Sequence, residues 1–181
     1  MPRSDRQTAL AELLAAQALS GPPLPDPTAV AERLLAIQAQ DLRGAQLAVR
    51  VRTRGRSVVD VDRALTQDRS LVVSWLNRGT LHLVRREDHP WLHALTTPQL
   101  ATSNARRLEQ EGVTPAQAER GADLVERALS DQGPLPREAL RAVLDAAGVP
   151  TARQALVHIL LRTSLRGTIV RGPMVGTQQA F

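Results

Sequence analysis

The sequence predicts a mainly helical α+β fold in which helices alternate with small β-hairpins, and three observations predict it. Apolar residues recur at helical spacing along most of the chain. Capping residues and Pro/Gly breakers punctuate those stretches. The period then changes to that of a strand at Leu71-Val72-Val73-Ser74-Trp75-Leu76 and again at Leu81-His82-Leu83-Val84. Asn77-Arg78-Gly79-Thr80 lies between the two runs with turn chemistry, which makes a hairpin. Helices followed by a hairpin is the order of a winged helix, a helix-turn-helix with a β wing.

The elements follow in order. Ser4 to Leu19 reads as a helix, with Ser4 and Gln7 as a capping-box pair and a stripe of Leu10, Leu13, Leu14 and Ala18. Ser20 to Asp26 is a Pro/Gly breaker, and Asp26-Pro27 suits the cap and first turn of a second helix carrying Val30, Leu34, Leu35 and Ile37. A third helix spans roughly Arg43 to Val51, with Ala45, Leu47, Ala48 and Val51 as its core face. Ser57 with Asp60 opens a fourth through Val58, Val61, Ala64 and Leu65. Beyond the hairpin, helices are predicted over Pro98 to Gln110, Pro115 to Ser130, Pro136 to Ala147 and Thr151 to Leu165. Thr168 to Arg171, the Gly172-Pro173 pair and the final residues read as the start of a second hairpin, in which the chain stops. The expectation is two winged helices in tandem, residues 1–96 and 97–181, the second cut short at its wing.

Composition narrows the function. All 23 cationic residues are arginine, set against 18 acids, for a net charge of +5 and a pI near 11.3. Codon bias in a GC-rich genome accounts for that choice, but the consequence is physical: Arg carries a planar donor fork suited to phosphate and guanine edges. A basic balance favours polyanion partners. With two Trp, one Phe and no Tyr, the chain lacks the platforms of a single-strand stacking groove, so duplex DNA is the better fit. Without cysteine there is no disulfide framework and no thiolate metal site. No metal-ligand spacing, nucleotide-binding glycine loop or nucleophile elbow occurs, so neither metal nor cofactor is expected. No secretory signal or membrane span is read, and a cytoplasmic, nucleoid-associated monomer is expected.

Two segments carry a family likeness. Ile37-Gln38-Ala39-Gln40-Asp41, together with Trp75-Leu76-Asn77-Arg78-Gly79-Thr80-Leu81-His82-Leu83, resembles the AlkZ-like winged-helix DNA glycosylases. The second block is the more specific, since nine positions of mixed chemistry seldom coincide, whereas Gln-x-Gln alone is common. The resemblance implies winged helices forming a concave basic surface around duplex DNA, with a third winged helix following Phe181 in longer members. It implies excision of bulky or crosslinking N-alkylated purines, a Gln-aliphatic-Gln motif at the active site and a β-hairpin on the duplex. Gln38 and Gln40 fall on that motif, with Ala39 as its smallest aliphatic filling.

The residues allow that chemistry. An N-alkylated purine is already cationic and leaves readily, so the protein has mainly to orient water and stabilise an oxocarbenium-like sugar. A glutamine carbonyl accepts from water while its NH2 donates elsewhere. Residues i and i+2 share a face on extended chain and diverge on a helix; an extended Gln38–Gln40 would place both amides in one groove. Two solvated glutamines at a helix end satisfy the same spacing. Asp41 is read as a helix cap, with an acid–base role as the alternative. DNA contacts are expected from Arg43, from the alternating run Arg50, Arg52, Arg54 and Arg56, and from Arg78, Gly79, Thr80 and His82 around the hairpin turn. His82 equally suits a cross-strand structural role, and Trp75 and Trp91 are read as core anchors. A winged-helix regulator without catalysis is the alternative to a glycosylase.

Overall fold

The structure, a computed structural model, describes residues 5–55 and 57–181. Its elements run α1 (Asp5–Ala16), α2 (Pro27–Leu34), β1 (Ile37–Gln38), α3 (Leu42–Arg50), α4 (Val58–Thr66), β2 (Leu71–Leu76), β3 (Thr80–Arg85), α5 (His89–Thr96), α6 (Pro98–Gln110), α7 (Pro115–Gln132), α8 (Arg137–Ala146), α9 (Ala155–Leu165), β4 (Met174–Val175) and β5 (Gln178–Gln179). The fold is mixed, helices with small antiparallel sheets, as the sequence predicts.

The first sheet has the order β1-β3-β2, antiparallel throughout, with Gln38 opposite His82 and Ser74 opposite the same His82. Every residue of β2 is buried. A strand buried in this way must satisfy both backbone edges. One edge pairs with β3; on the other, Val73 exchanges two hydrogen bonds with Arg171, at 2.6 and 2.7 Å. The helices close over this sheet with Val30, Val49, Val61 and Leu65, and the same cluster of buried side chains continues into Leu140, Leu144, Leu156, Ile159 and Leu160 of α8 and α9.

Beyond the first sheet the chain continues through α5, α6 and α7. After α7, Leu135-Pro136 is held by the chain end: Phe181 N–H donates to Leu135 O at 3.1 Å and Pro136 bridges Ala180. Then come α8, α9 and the β4–β5 hairpin. Helices α7 and α9 approach closely at Gly121, where a Cβ would lie 3.1 Å from Ile159 Cγ2 and 3.3 Å from Val149 Cγ1. Across the same contact Glu119 pairs with Arg162 and Arg166, and Arg166 also reaches Asp123 at 2.8 Å and Glu126 at 3.0 Å.

Several sequence expectations are corrected. Helix α2 stops at Leu34 because Leu35 takes φ +67°, so Ile37 is in a strand. In α3, Ala45 is buried and Ala48 packs against the core as expected, but Gln46 and Val49 complete the buried face in place of Leu47 and Val51, which are exposed. The α1 leucines Leu10, Leu13 and Leu14 are exposed, and no residue of α1 is buried. Ser4, and with it that capping box, lies outside the described residues. Trp91 is 46% exposed, with Nε1 donating to Asp88 at 3.1 Å, and is no core anchor. Helix α9 starts at Ala155, not Thr151. The second hairpin turns at Gly176, and Arg171 pairs with β2 instead.

Two outcomes follow. Gly121→Val should lose about 1–3 kcal/mol by overpacking the α7–α9 contact, read as a lower midpoint in urea. The second concerns His89, buried in α5 with Nε2 unpartnered among the described residues and its ring 5.5 Å from that of His93. Burial, and then the charge of His93, hold His89 below the ordinary histidine value. Because its folded pKa is depressed, its contribution is full above the unfolded value of about 6.5 and is lost as pH falls through the folded pKa. Thermal midpoints should therefore fall from pH 7 to pH 5, and fall less steeply in His89→Gln. Burial lowers His158 in the same direction, so part of the slope should remain.

Candidate active site

The Gln38–Gln40 segment is extended where it pairs with β3, then bends. Ala39 N–H donates to Leu81 O at 2.8 Å, continuing the ladder. The reciprocal bond does not go to backbone: Leu81 N–H donates to the side-chain Oε1 of Gln40 at 3.2 Å. The Gln40 amide thus replaces a main-chain carbonyl at the end of the strand pair. That substitution lets the chain turn into α3, whose N-cap is Asp41. Its carboxylate accepts from Arg43 N–H at 3.1 Å and Gly44 N–H at 3.3 Å, so Asp41 caps the helix.

Ile37 and Ala39 are buried, while Gln38 and Gln40 are exposed. Gln38 lies opposite His82 in the strand register. Gln40 instead lines two adjoining hollows. One, of about 250 Å³, is walled by Gln40, Trp75, Leu81, Arg137, Gln154, Val157, Leu160, Arg171 and Phe181. The other, of about 410 Å³, includes Gln40, Asp41, Arg43, Gln46, Asp62, Arg171 and Gln179. Gln40 and Arg171 stand on the border of both.

Behind Gln40 the aromatic groups stack in a column. Phe181 lies 6.0 Å from Trp75, centroid to centroid, and the Arg171 guanidinium sits 5.3 Å from the Phe181 ring centre. Burial, and then the like charge of Arg137, push Arg171 below its ordinary value. In the larger hollow Gln46 Nε2 donates to Asp62 Oδ1 at 2.7 Å, which orients that carboxylate.

The expected DNA-contact residues divide. Arg43, Arg54 and Arg78 are exposed and have no ion pair among the described residues. Arg52 is committed elsewhere: Nε donates to Gln17 O at 2.7 Å and Nη1 to Ala48 O at 2.6 Å, tying α3 to the chain after α1. Arg56 lies outside the described residues. At the hairpin, Asn77 and Gly79 take positive φ, which glycine and asparagine tolerate best. Arg78 is exposed, Gly79 and Thr80 half-buried. His82 donates from Nδ1 to Thr80 O at 2.9 Å, because a carbonyl can only accept, which leaves Nε2 as the acceptor nitrogen. Arg137, Gln154, Arg171 and Phe181 were not anticipated. They come together from helix starts and a bridge far apart in sequence, and carry no local spacing that would announce them.

Comparison with known proteins then bears on this geometry. A family model described as DNA glycosylase AlkZ-like matches residues 31–181. The chain belongs to the AlkZ-like DNA glycosylase family. The structure is similar to that of Streptomyces sahachiroi DNA glycosylase AlkZ, with a TM-score of 0.76 and 28% identity, over 100% of this chain and 49% of that one. The chain thus spans about half the length of that AlkZ-like relative. No curated protein sequence matches significantly. Among the described residues no helix is long and apolar enough to cross a membrane.

For the AlkZ-like site, the cap assigned to Asp41 has a measurable consequence. Asp41→Ala should cost about 1 kcal/mol of stability by leaving α3 uncapped, seen as a lowered thermal midpoint, whereas Asp41→Asn should restore most of it.

Proposed function

We propose that the chain is a DNA glycosylase that hydrolyses the N-glycosidic bond of bulky N-alkylated purines, interstrand crosslinks included, in duplex DNA. We read the order α2, β1, α3, α4 and the β2–β3 hairpin, followed by α7, an isolated bridge at Pro136, α8, α9 and the β4–β5 hairpin, as two winged helices, residues 1–96 and 97–181. The observation that carries the proposal is Gln40: an amide held at its carbonyl by Leu81 N–H, at the border of two hollows.

In this reading the alkylated base leaves as a neutral purine, taking the electron pair of the C1′–N bond and discharging its positive charge. Water adds to the oxocarbenium carbon and loses a proton to solvent, giving an abasic sugar and free base. The Gln40 carbonyl has a second lone pair for that water, and its NH2 donates into the site. It is not a base, so substrates with poor leaving groups stay intact. The larger hollow, with Asp41 and Asp62 in its wall, suits a cationic purine. Gln38, displaced toward His82, serves to orient the lesion-bearing strand. Arg43, Arg54, Arg78, Gly79, Thr80 and His82 contribute backbone contacts, mainly with phosphate, to a protein acting as a monomer.

The test is release of base from duplex DNA containing N7-alkylguanine. Native protein should release it, and Gln40→Ala should lose about 10²-fold or more while duplex affinity holds. Excision unchanged in Gln40→Ala would remove Gln40 from the mechanism. Absence of excision by the native chain, with tight binding to one undamaged sequence, would instead favour a regulator.

A further inference from the structure

Arg171 stands apart from the other arginines whose side chains are partly buried. Arg85 pairs with Glu32, Glu87 and Asp88; Arg141 with Glu138; Arg162 with Glu119; Arg166 with Glu119, Asp123 and Glu126. Arg52 uses backbone carbonyls. Arg171 has no carboxylate partner among the described residues, and its Nε is buried without a hydrogen-bond acceptor. Its nearest charged neighbour in the smaller hollow is another cation, Arg137, at the start of α8. That hollow has two arginines, two glutamines, an apolar remainder and no acidic side chain in its wall.

A desolvated guanidinium beside a like charge is costly unless an anion joins it. The backbone keeps it there: the paired bonds to Val73 fix Arg171 on the edge of β2, and Phe181, itself stacked on Trp75, supports the guanidinium from one side. A planar fork with an unfilled Nε–H and a second arginine at the rim is suited to a tetrahedral oxyanion gripped by more than one donor. The smaller hollow has no acidic side chain to offset its two arginines, whereas in the larger one Asp41 and Asp62 stand against Arg43 and Arg171, so of the two the larger is the better suited to a cationic base.

We infer that Arg171 and Arg137 form a phosphodiester seat in the hollow beside Gln40, holding the backbone phosphate that flanks the damaged nucleotide. This rests on the glycosylase reading above for the identity of the phosphate. The seat fixes the sugar relative to the Gln40 amide: phosphate toward Arg171 and Arg137, base toward the hollow that carries Asp41 and Asp62. Arg171 and Arg137 are positioning residues that leave the chemistry at C1′ to Gln40 and water.

The experiment measures binding and so does not depend on excision. A set of duplexes, each with one N7-alkylguanine and one uncharged methylphosphonate linkage at successive positions around it, is titrated against native protein, Arg137→Ala and Arg171→Lys. Native protein should lose roughly tenfold in affinity at one linkage next to the lesion. Arg137→Ala, an exposed position that leaves the fold intact, should bind the unmodified duplex more weakly, with its salt slope reduced by about 1, and should lose less than native at that same linkage. Arg171→Lys keeps the charge but not the fork, and should show the same blunted response. A second readout needs no DNA: the Arg171 Nε–H signal of ¹⁵N-labelled native protein should shift saturably with dimethyl phosphate. Equal sensitivity of native and Arg137→Ala protein at every linkage, or no shift of that signal, overturns the seat even if base release by Gln40 stands. Linkage-specific coupling without base release upholds the seat and rejects the glycosylase reading.

Discussion

The rest of the structure depends on burying β2. Six consecutive side chains, Leu71 to Leu76, leave water together, and their backbone has no solvent to fall back on. Each edge of the strand therefore recruits a partner: β3 through the hairpin, and Arg171 from almost a hundred residues later in the chain. The second recruitment ties the segment after α9 to the sheet around one core. It also explains why an arginine sits half-buried at the site, since its backbone is required there before its side chain has any use.

The site is arranged around that same edge. Trp75, in β2, supports Phe181; Phe181 supports Arg171; and Leu81, opposite Trp75 in the register, orients Gln40 through its backbone N–H. A hydrophobic strand pair thus determines where the polar groups stand. Membership of the AlkZ-like family fits this economy, because the nine-residue block from Trp75 to Leu83 contains half of the strand pair and the turn between its members.

Much of this was legible in local pattern. The hairpin, the Asp26 cap, the capping box of Ser57 and Asp60, and helix α6 to the residue follow from periodicity and caps that depend on near neighbours. Helix α5 was not read, since His89-Pro90-Trp91 lacks a clean stripe and its cap Asp88 makes no capping bond, spending its carboxylate on Arg85 and Trp91. The exposed leucines of α1 and the exposed Trp91 show the limit of apolarity as a guide to burial: hydrophobicity permits a core position without requiring one. The glutamine pair was found for its chemistry, but the hydrogen bond from Leu81 N–H to the Gln40 side chain was not, because it joins residues 41 apart in sequence. The arginine pair could not be read at all, since no short-range pattern reports a pairing between residues 73 and 171.

The hairpin turn has a further implication. A Cβ placed at Gly79 would meet Leu100 Cδ2 at 3.7 Å, so the turn lies over α6 with Gly79 half-buried beside it. Conformational freedom that a loose finger would surrender on meeting a partner has here already been surrendered during folding. A turn seated in this way selects among shapes presented to it, and it is the partner, more than the hairpin, that must deform when the two do not match.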